Sequence, residues 1–288
     1  MNRRSIPPRY RAGKPVRKNR GVQALYRQKL MKLVDEMDHS VRYWLSAAYK
    51  KQEARIEAYN AAPQSGPHMA TDASPARFLQ GSLHKMMRRW VRRFDEQADG
   101  IAQWFAANSL RSADTLTRAS LRDLSGFTVK FRPSRALDNL MQTIIQENVA
   151  LIKSIPQQYA LEVEGLVMRS VRDGRDLGFL TQELRRRYDI TVNRAATIAR
   201  DQNNKAGESI ARARMKEVGI RKAMWVHSGI SEDSRPSHKH ADGQVFDLDE
   251  GCLIEGEYIF PGEKINCQCM QAPLIPEFEY EKNQRRMS

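Results

Sequence analysis

Residues 235–242 read RPSHKHAD and residues 261–269 read PGEKINCQC, and these two stretches decide the C-terminal fold. All three cysteines of the chain (Cys252, Cys267, Cys269) fall in or between them or stand beside them, as do three of its six histidines (His227, His238, His240). A generic helical protein scatters such residues. Gathered around the turn dipeptide Asp242-Gly243, they predict a small compact module whose tip is held by polar and sulfur chemistry.

Working outward, the texture on either side of these stretches is strand-like. Residues 223–227, 244–246 and 257–260 are short and rich in β-formers, with turns at Asp242-Gly243 and Pro261-Gly262. Before them, the spacing predicts a long helix over 191–218 that stops at Gly219, a favoured C-terminal cap. Further helices are predicted over 134–153, 157–172 and 178–188, with breaks at Ser154-Ile155-Pro156 and Asp173-Gly174. Residues 127–131 read as a short extended piece closed by Pro133.

The N-terminal half is plainer. Val22, Tyr26, Leu30, Leu33, Met37, Val41, Trp44 and Ala48 step by three and four, which predicts an amphipathic helix from Gly21 to about Ala61. Pro63, Gly66, Pro67 and Pro75 mark a loop over 62–76, and a second helix follows to about Leu124, with Gly100 as a candidate break. The fold class expected is α+β: a mostly helical body with a small mixed C-terminal domain. The expected divisions are a basic disordered arm (1–20), a long-helix region (21–125), a helical segment (126–219), the strand and loop module (220–278) and a solvated tail (279–288).

The formal net charge is +14, and its placement matters more than its size. Residues 1–100 hold 21 Lys and Arg against 9 Asp and Glu, whereas residues 101–288 hold 27 against 25. Arg3, Arg4, Arg9, Arg11, Lys14, Arg17, Lys18 and Arg20 face no acidic residue among the first twenty positions. With Pro7, Pro8 and Pro15 among them, the stretch reads as an extended arm. Such cations neutralise nucleic-acid phosphates by releasing counterions, without base recognition. An acidic protein surface and a merely solvated tail are the competing readings. A further group, Arg88, Arg89, Trp90, Arg92 and Arg93, is either a nucleic-acid clamp or a buried Trp on a cationic helix.

No apolar run approaches the roughly 18 residues of a membrane span. The first residues carry charge and proline and no apolar signal core, so secretion is not expected, and three cysteines do not make a disulfide framework. There is no phosphate-cradling Gly-rich loop, no HExxH and no nucleophile elbow.

The sharpest chemical reading is a zinc site from His238, His240, Cys267 and Cys269, two imidazoles and two thiolates being a set that Zn²⁺ accepts. A purely structural alternative has His238 and Asp233 tying the loop closed while the cysteines pack as small apolar residues. A catalytic alternative pairs His238 or His240 with Asp233 or Asp242 as general base, with Cys267 as nucleophile; another gathers Asp233, Asp242, Asn266 and the histidines as a metal-dependent centre acting on nucleic acid. Arg235 and Asp233 are expected to pair or cap a turn, and Trp225 to be core.

The order Trp225, Asp233-x-Arg235-x-x-His238, Asp242-Gly243, Pro261-Gly262, Asn266-Cys267-x-Cys269 and Pro273 resembles the Mu F-like minor head proteins of tailed bacteriophages. Residues 194–214 (RAATIARDQNNKAGESIARAR) look like the long helix that precedes the module in that family, and the resemblance covers roughly Gly126 to Phe278. Many relatives have Arg where this chain has Gln268. The resemblance implies a non-enzymatic virion protein acting in head assembly. Its implied partners are the portal protein, the major capsid or scaffolding protein and double-stranded DNA bound without sequence preference. Its implied location is the inside of the head near the portal, with the host cytoplasm as the site of assembly.

Overall fold

The structure, a computed structural model, describes residues 10–61, 75–172, 177–229 and 234–276. In chain order its elements are β1 (Tyr10–Ala12), α1 (Arg20–Ala61), α2 (Pro75–Ser125), α3 (Arg135–Arg172), α4 (Leu177–Glu217), β2 (Lys222–Val226), α5 (Pro236–His240), β3 (Val245–Asp247), β4 (Cys252–Ile254), β5 (Glu257–Ile259) and β6 (Met270–Pro276). The fold is α+β: long helices with a small antiparallel sheet region in the C-terminal part.

Helix ends follow local chemistry. The Asn19 side chain accepts the N–H groups of Gly21 and Val22, capping α1, and Ser134 accepts that of Leu137 at the start of α3. At the end of α4, Gly219 takes φ +86. The N–H groups of Ile220 and Gly219 then reach the carbonyls of Met215 and Lys216, the paired bonds of a Schellman cap.

Two expected helix breaks are absent. α3 runs through Pro156, and α4 is one helix where separate segments over 178–188 and 191–218 were expected. A proline inside a helix costs about 3 kcal/mol. Ile152, Ile155, Tyr159 and Val163 flank Pro156 and are fully buried or nearly so, and their burial offsets that cost. α2 likewise continues through Gly100. Residues 127–131 are irregular chain between α2 and α3, and β1, β4 and β6 are strands that local pattern did not reveal.

The chain divides into two compact units that do not follow sequence order. One comprises Met1–Tyr26, Ala102–Glu147 and Ala199–Ser288; the other comprises Arg27–Ile101 and Asn148–Ile198. Each of the four long helices contributes residues to both units.

In the second unit, Leu30, Val34, Met37, Val41, Leu45 and Tyr49 form the buried stripe of α1. Trp44, expected in that stripe, is 55% exposed, and Leu45 beside it is buried instead. Asp38 is fully buried, accepting a hydrogen bond from the Tyr159 hydroxyl at 2.9 Å and pairing with Arg42.

The first unit carries the sheet, in the order β1-β6-β2-β3 with every pairing antiparallel, and a separate β4-β5 hairpin. Its core gathers Val16, Leu121, Met215, Trp225, Phe246 and Ile259 with all three cysteines. Trp225 is fully buried, as expected of a core residue. Arg214 fastens residues 131–132 to α2 and α4. Its guanidinium donates to Asp114 at 2.8 and 3.0 Å, to Glu217 at 2.7 Å and to the Arg132 carbonyl, and it lies over the Phe131 ring.

The basic stretch departs from expectation. Residues 10–12 are an edge strand on β6, Gly13 donates to the Pro273 carbonyl, and Val16 enters the core. Disorder across 1–20 is therefore corrected for 10–20. Backbone pairing with a sheet edge and burial of Val16 supply what the local composition lacks. Arg3, Arg4 and Arg9, like the expected tail at 279–288, lie outside the described residues.

Candidate metal centre

His238, Cys267 and Cys269 converge in the first unit, all buried, with their ligand atoms within 4.8 Å of one another. His238 comes from α5, a single turn opened by Pro236. Residues two apart on a helix project about 200° apart. His238 is thus turned inward while His240 is exposed, and His240 does not join the cluster. The expected four-residue set is corrected to three. Cys267 and Cys269, one residue apart just before β6, reach the same side, as alternate positions of an extended chain do.

The distances suit a metal. His238 Nδ1 lies 3.4 Å from Cys267 Sγ and 3.8 Å from Cys269 Sγ. Zn–N and Zn–S bonds of about 2.05 and 2.3 Å at a tetrahedral angle require an N···S edge of about 3.6 Å. The protonation also suits one. The Cys269 thiol, hydrogen-bonded to Cys267, pulls Cys267 down to about 5; burial opposes this, and the N–H groups of Cys269 and Gly262 and the His238 ring add to the pull. The same bond pushes Cys269 up. A metal ion held by both sulfurs would displace their protons. Cys252 is elsewhere, its thiol donating to Gln244 Oε1 at 3.3 Å.

The cluster is held by residues that sequence reading did not single out. One stripe of α4 carries Arg200, Asp201, Asn204 and Glu208, spaced so that all face one way. Asp201 accepts the Asn266 N–H at 2.8 Å, Arg200 donates to the Asn266 side-chain oxygen at 2.9 Å, and Asn204 donates to the Cys267 carbonyl at 3.1 Å. Glu208 accepts the Gln271 N–H at 3.1 Å. Asn266 takes φ +60, a left-handed conformation that asparagine tolerates. Burial pushes Glu208 up to about 8 against the pull of Lys18 and the Gln271 N–H. Lys18 donates to the Cys269 carbonyl at 3.0 Å.

Arg235 donates to the Ile265 carbonyl at 3.2 Å, Asp242 accepts the His227 N–H at 2.9 Å, and Gly243 donates to the Trp225 carbonyl. Pro261 and Gly262 form a turn packed on α4. Asp233 lies outside the described residues. Among the described residues the side-chain hydrogen-bond contacts of His238 are to the two cysteine sulfurs. The cluster borders a pocket of about 560 Å³ whose wall includes Arg200, Arg235, His227 and Asn266.

Of the basic positions, Lys14 pairs with Asp123 at 2.7 Å and Lys18 is turned inward, so these two are used within the protein. Arg11, Arg17 and Arg20 are exposed.

The α4 stripe, the Pro-Gly turn and the Cys-x-Cys loop form one block, and residues 161–272 match the family described as phage Mu protein F like protein. Over those residues the chain is similar to the phage Mu F-like family. The matched segment begins further along than Gly126, within the span of the sequence resemblance. The family is one of bacteriophage head morphogenesis. An uncharacterised protein of Haemophilus influenzae (strain Rd) is 28% identical over 278 residues, covering 94% of this chain and 57% of that relative. The chain thus spans a little over half the length of that relative. No solved structure matches. Among the described residues, no helix is long and apolar enough to cross a membrane.

Proposed function

We propose that the protein is a minor head protein of a tailed bacteriophage, acting in procapsid assembly in the host cytoplasm and remaining inside the head near the portal. The Mu F-like match over residues 161–272 carries this reading. In it the protein is not an enzyme. It docks on the portal, or on major capsid or scaffolding protein, and its exposed arm cations contact the phosphates of packaged duplex DNA. A zinc ion held by His238, Cys267 and Cys269 clamps the loop before β6 to α5. That clamp secures the docking module where the sheet is small and the core shallow. Mass spectrometry of purified full and empty heads, with a portal pull-down, tests the assignment. Low-copy presence in both head types and capture by the portal support it; absence from both sinks it.

One observation favours a second reading. Three ligands leave a tetrahedral metal one position short, and the cluster borders a pocket edged by arginines. A metal-dependent enzyme acting on nucleic acid has that form. Under this reading His238→Ala abolishes turnover of a nucleic-acid substrate while the fold survives; under the first, the purified protein turns over none.

A further inference from the structure

α1 and α2 leave a groove of about 700 Å³ in the second unit. Its walls are two helical rows, from Glu36 to Lys51 on α1 and from Phe78 to Arg93 on α2. At 1.5 Å per residue, each row runs about 22 Å, four helical turns. The floor is apolar: Trp44, Ala48, Phe78, Met86 and Trp90. Trp44 is 55% exposed, and Tyr43 beside it, packed edge-on at 5.4 Å, is 64% exposed. Large aromatics are enriched among the residues that carry binding energy at interfaces.

The rim is cationic. Lys51, Lys85, Arg89 and Arg93 line it against one carboxylate, Glu36. Lys85, Arg89 and Arg93 have no acidic partner among the described residues, and Arg88 and Arg92 add further unpaired charge on α2. The nearby Asp95 is turned to Lys153. Like charges packed this closely on one helix repel, and an anionic occupant relieves the repulsion.

We propose that this groove docks an amphipathic helix of a partner protein, about four turns long, with an apolar face and acidic flanks. An apolar floor bounded along α2 by cations one turn apart is a surface such a helix recognises. The chain's own connection between α1 and α2 does not supply it: residues 62–74 contain Pro63 and Pro67 and one large apolar residue, Met69. The inference stands on the groove and not on the head-assembly reading, so either holds if the other fails.

Fluorescence anisotropy with the full-length protein tests it. The probe is a labelled 18-residue peptide, designed with leucines on one helical face and glutamates flanking them. Its comparators are the same peptide with lysines for glutamates and a 20-nucleotide oligo-dT. The glutamate peptide should bind saturably, and the lysine peptide about tenfold more weakly or worse. The pair Arg89→Glu and Arg93→Glu, and separately Trp44→Ala, should each weaken the glutamate peptide about tenfold with an unchanged melting temperature, since all three side chains are exposed. No saturation by the glutamate peptide up to about 1 mM, or equal binding of both peptides, overturns the proposal. Tighter binding of oligo-dT that the same variants abolish makes the groove a nucleic-acid site instead. A concentration-dependent dimer that Trp44→Ala dissolves would give the groove to a second copy of this chain, and also overturns it.

Discussion

Gly262→Ala probes the joint between α4 and the metal-centre loop with little else disturbed. Gly262 sits at φ +81, and a Cβ there would lie 3.0 Å from Glu208 Cγ and 3.2 Å from the Asn204 carbonyl oxygen. The left-handed backbone alone costs an L-residue about 1–2 kcal/mol. The crowding adds to this, because the carbonyl belongs to a long helix and cannot move aside. The loop must shift instead, stretching Asn204 Nδ2 to Cys267 O (3.1 Å), Asn266 N to Asp201 (2.8 Å) and Gln271 N to Glu208 (3.1 Å). Each such bond is worth about 1 kcal/mol, the carboxylate-accepting ones rather more. Weakening two of them brings the total to about 3–4 kcal/mol, which for a unit of this size lowers the melting transition by roughly 6–16 °C. Gly207→Ala is the control. It lies in the same helix with nothing within 4 Å of a new Cβ, and should stabilise by about 0.5–1 kcal/mol. Calorimetry gives both values, and hydrogen exchange should localise the Gly262→Ala effect to residues 262–271. Equal tolerance of the two substitutions would refute the reasoning.

Three further outcomes follow from particular contacts. Arg214→Lys keeps the charge but loses the forked contact to Asp114 and the reach to Glu217 and Arg132, and should cost about 2 kcal/mol by denaturant titration; a change under about 0.5 kcal/mol would contradict that. Burial pushes the Asp38 carboxyl up, while Tyr159 and Arg42 offset this only in part. A raised acid gives its full contribution below the ordinary carboxylate range and loses it as pH rises through the folded value. Asp38→Asn should therefore gain on the wild type in melting temperature between about pH 4 and pH 7; losing ground over that range would mean the Arg42 pairing dominates. Removing residues 1–9 should weaken duplex DNA binding and flatten its salt dependence by about 0.9 in slope per lost phosphate contact. An unchanged slope would remove Arg3, Arg4 and Arg9 from the DNA contacts.

How far the sequence carried varies with the range of the interaction. The buried stripe of α1 was legible because 3.6-residue periodicity is local, yet the same pattern overreached at Trp44, because which flank of a stripe is covered depends on tertiary packing. Pro156 read as a break because the burial around Ile152 and Tyr159 that holds α3 together is tertiary. Pro273 and Pro276 hid β6, whose strand character comes from its partners β1 and β2. The metal-centre residues showed through their unusual types, but the choice of His238 over His240 depended on α5 being a helical turn. Asp201, Asn204 and Glu208 were in plain view in RDQNNKAGES, at the i, i+3, i+7 spacing of one helix face. That signal would have found them had polar residues been read for periodicity as apolar ones were. Lys18 belonged to a run whose composition says arm, and only the edge of β6 and the buried Glu208 say otherwise.

Metal content tests the centre most directly. Protein prepared with zinc in the medium and passed through metal-free buffer should hold about one zinc per chain by mass spectrometry of the element. His238→Ala and Cys267→Ser should lose it, while His240→Ala retains it in full. Zinc-free wild-type protein, or loss in His240→Ala with retention in His238→Ala, would contradict the three-residue centre.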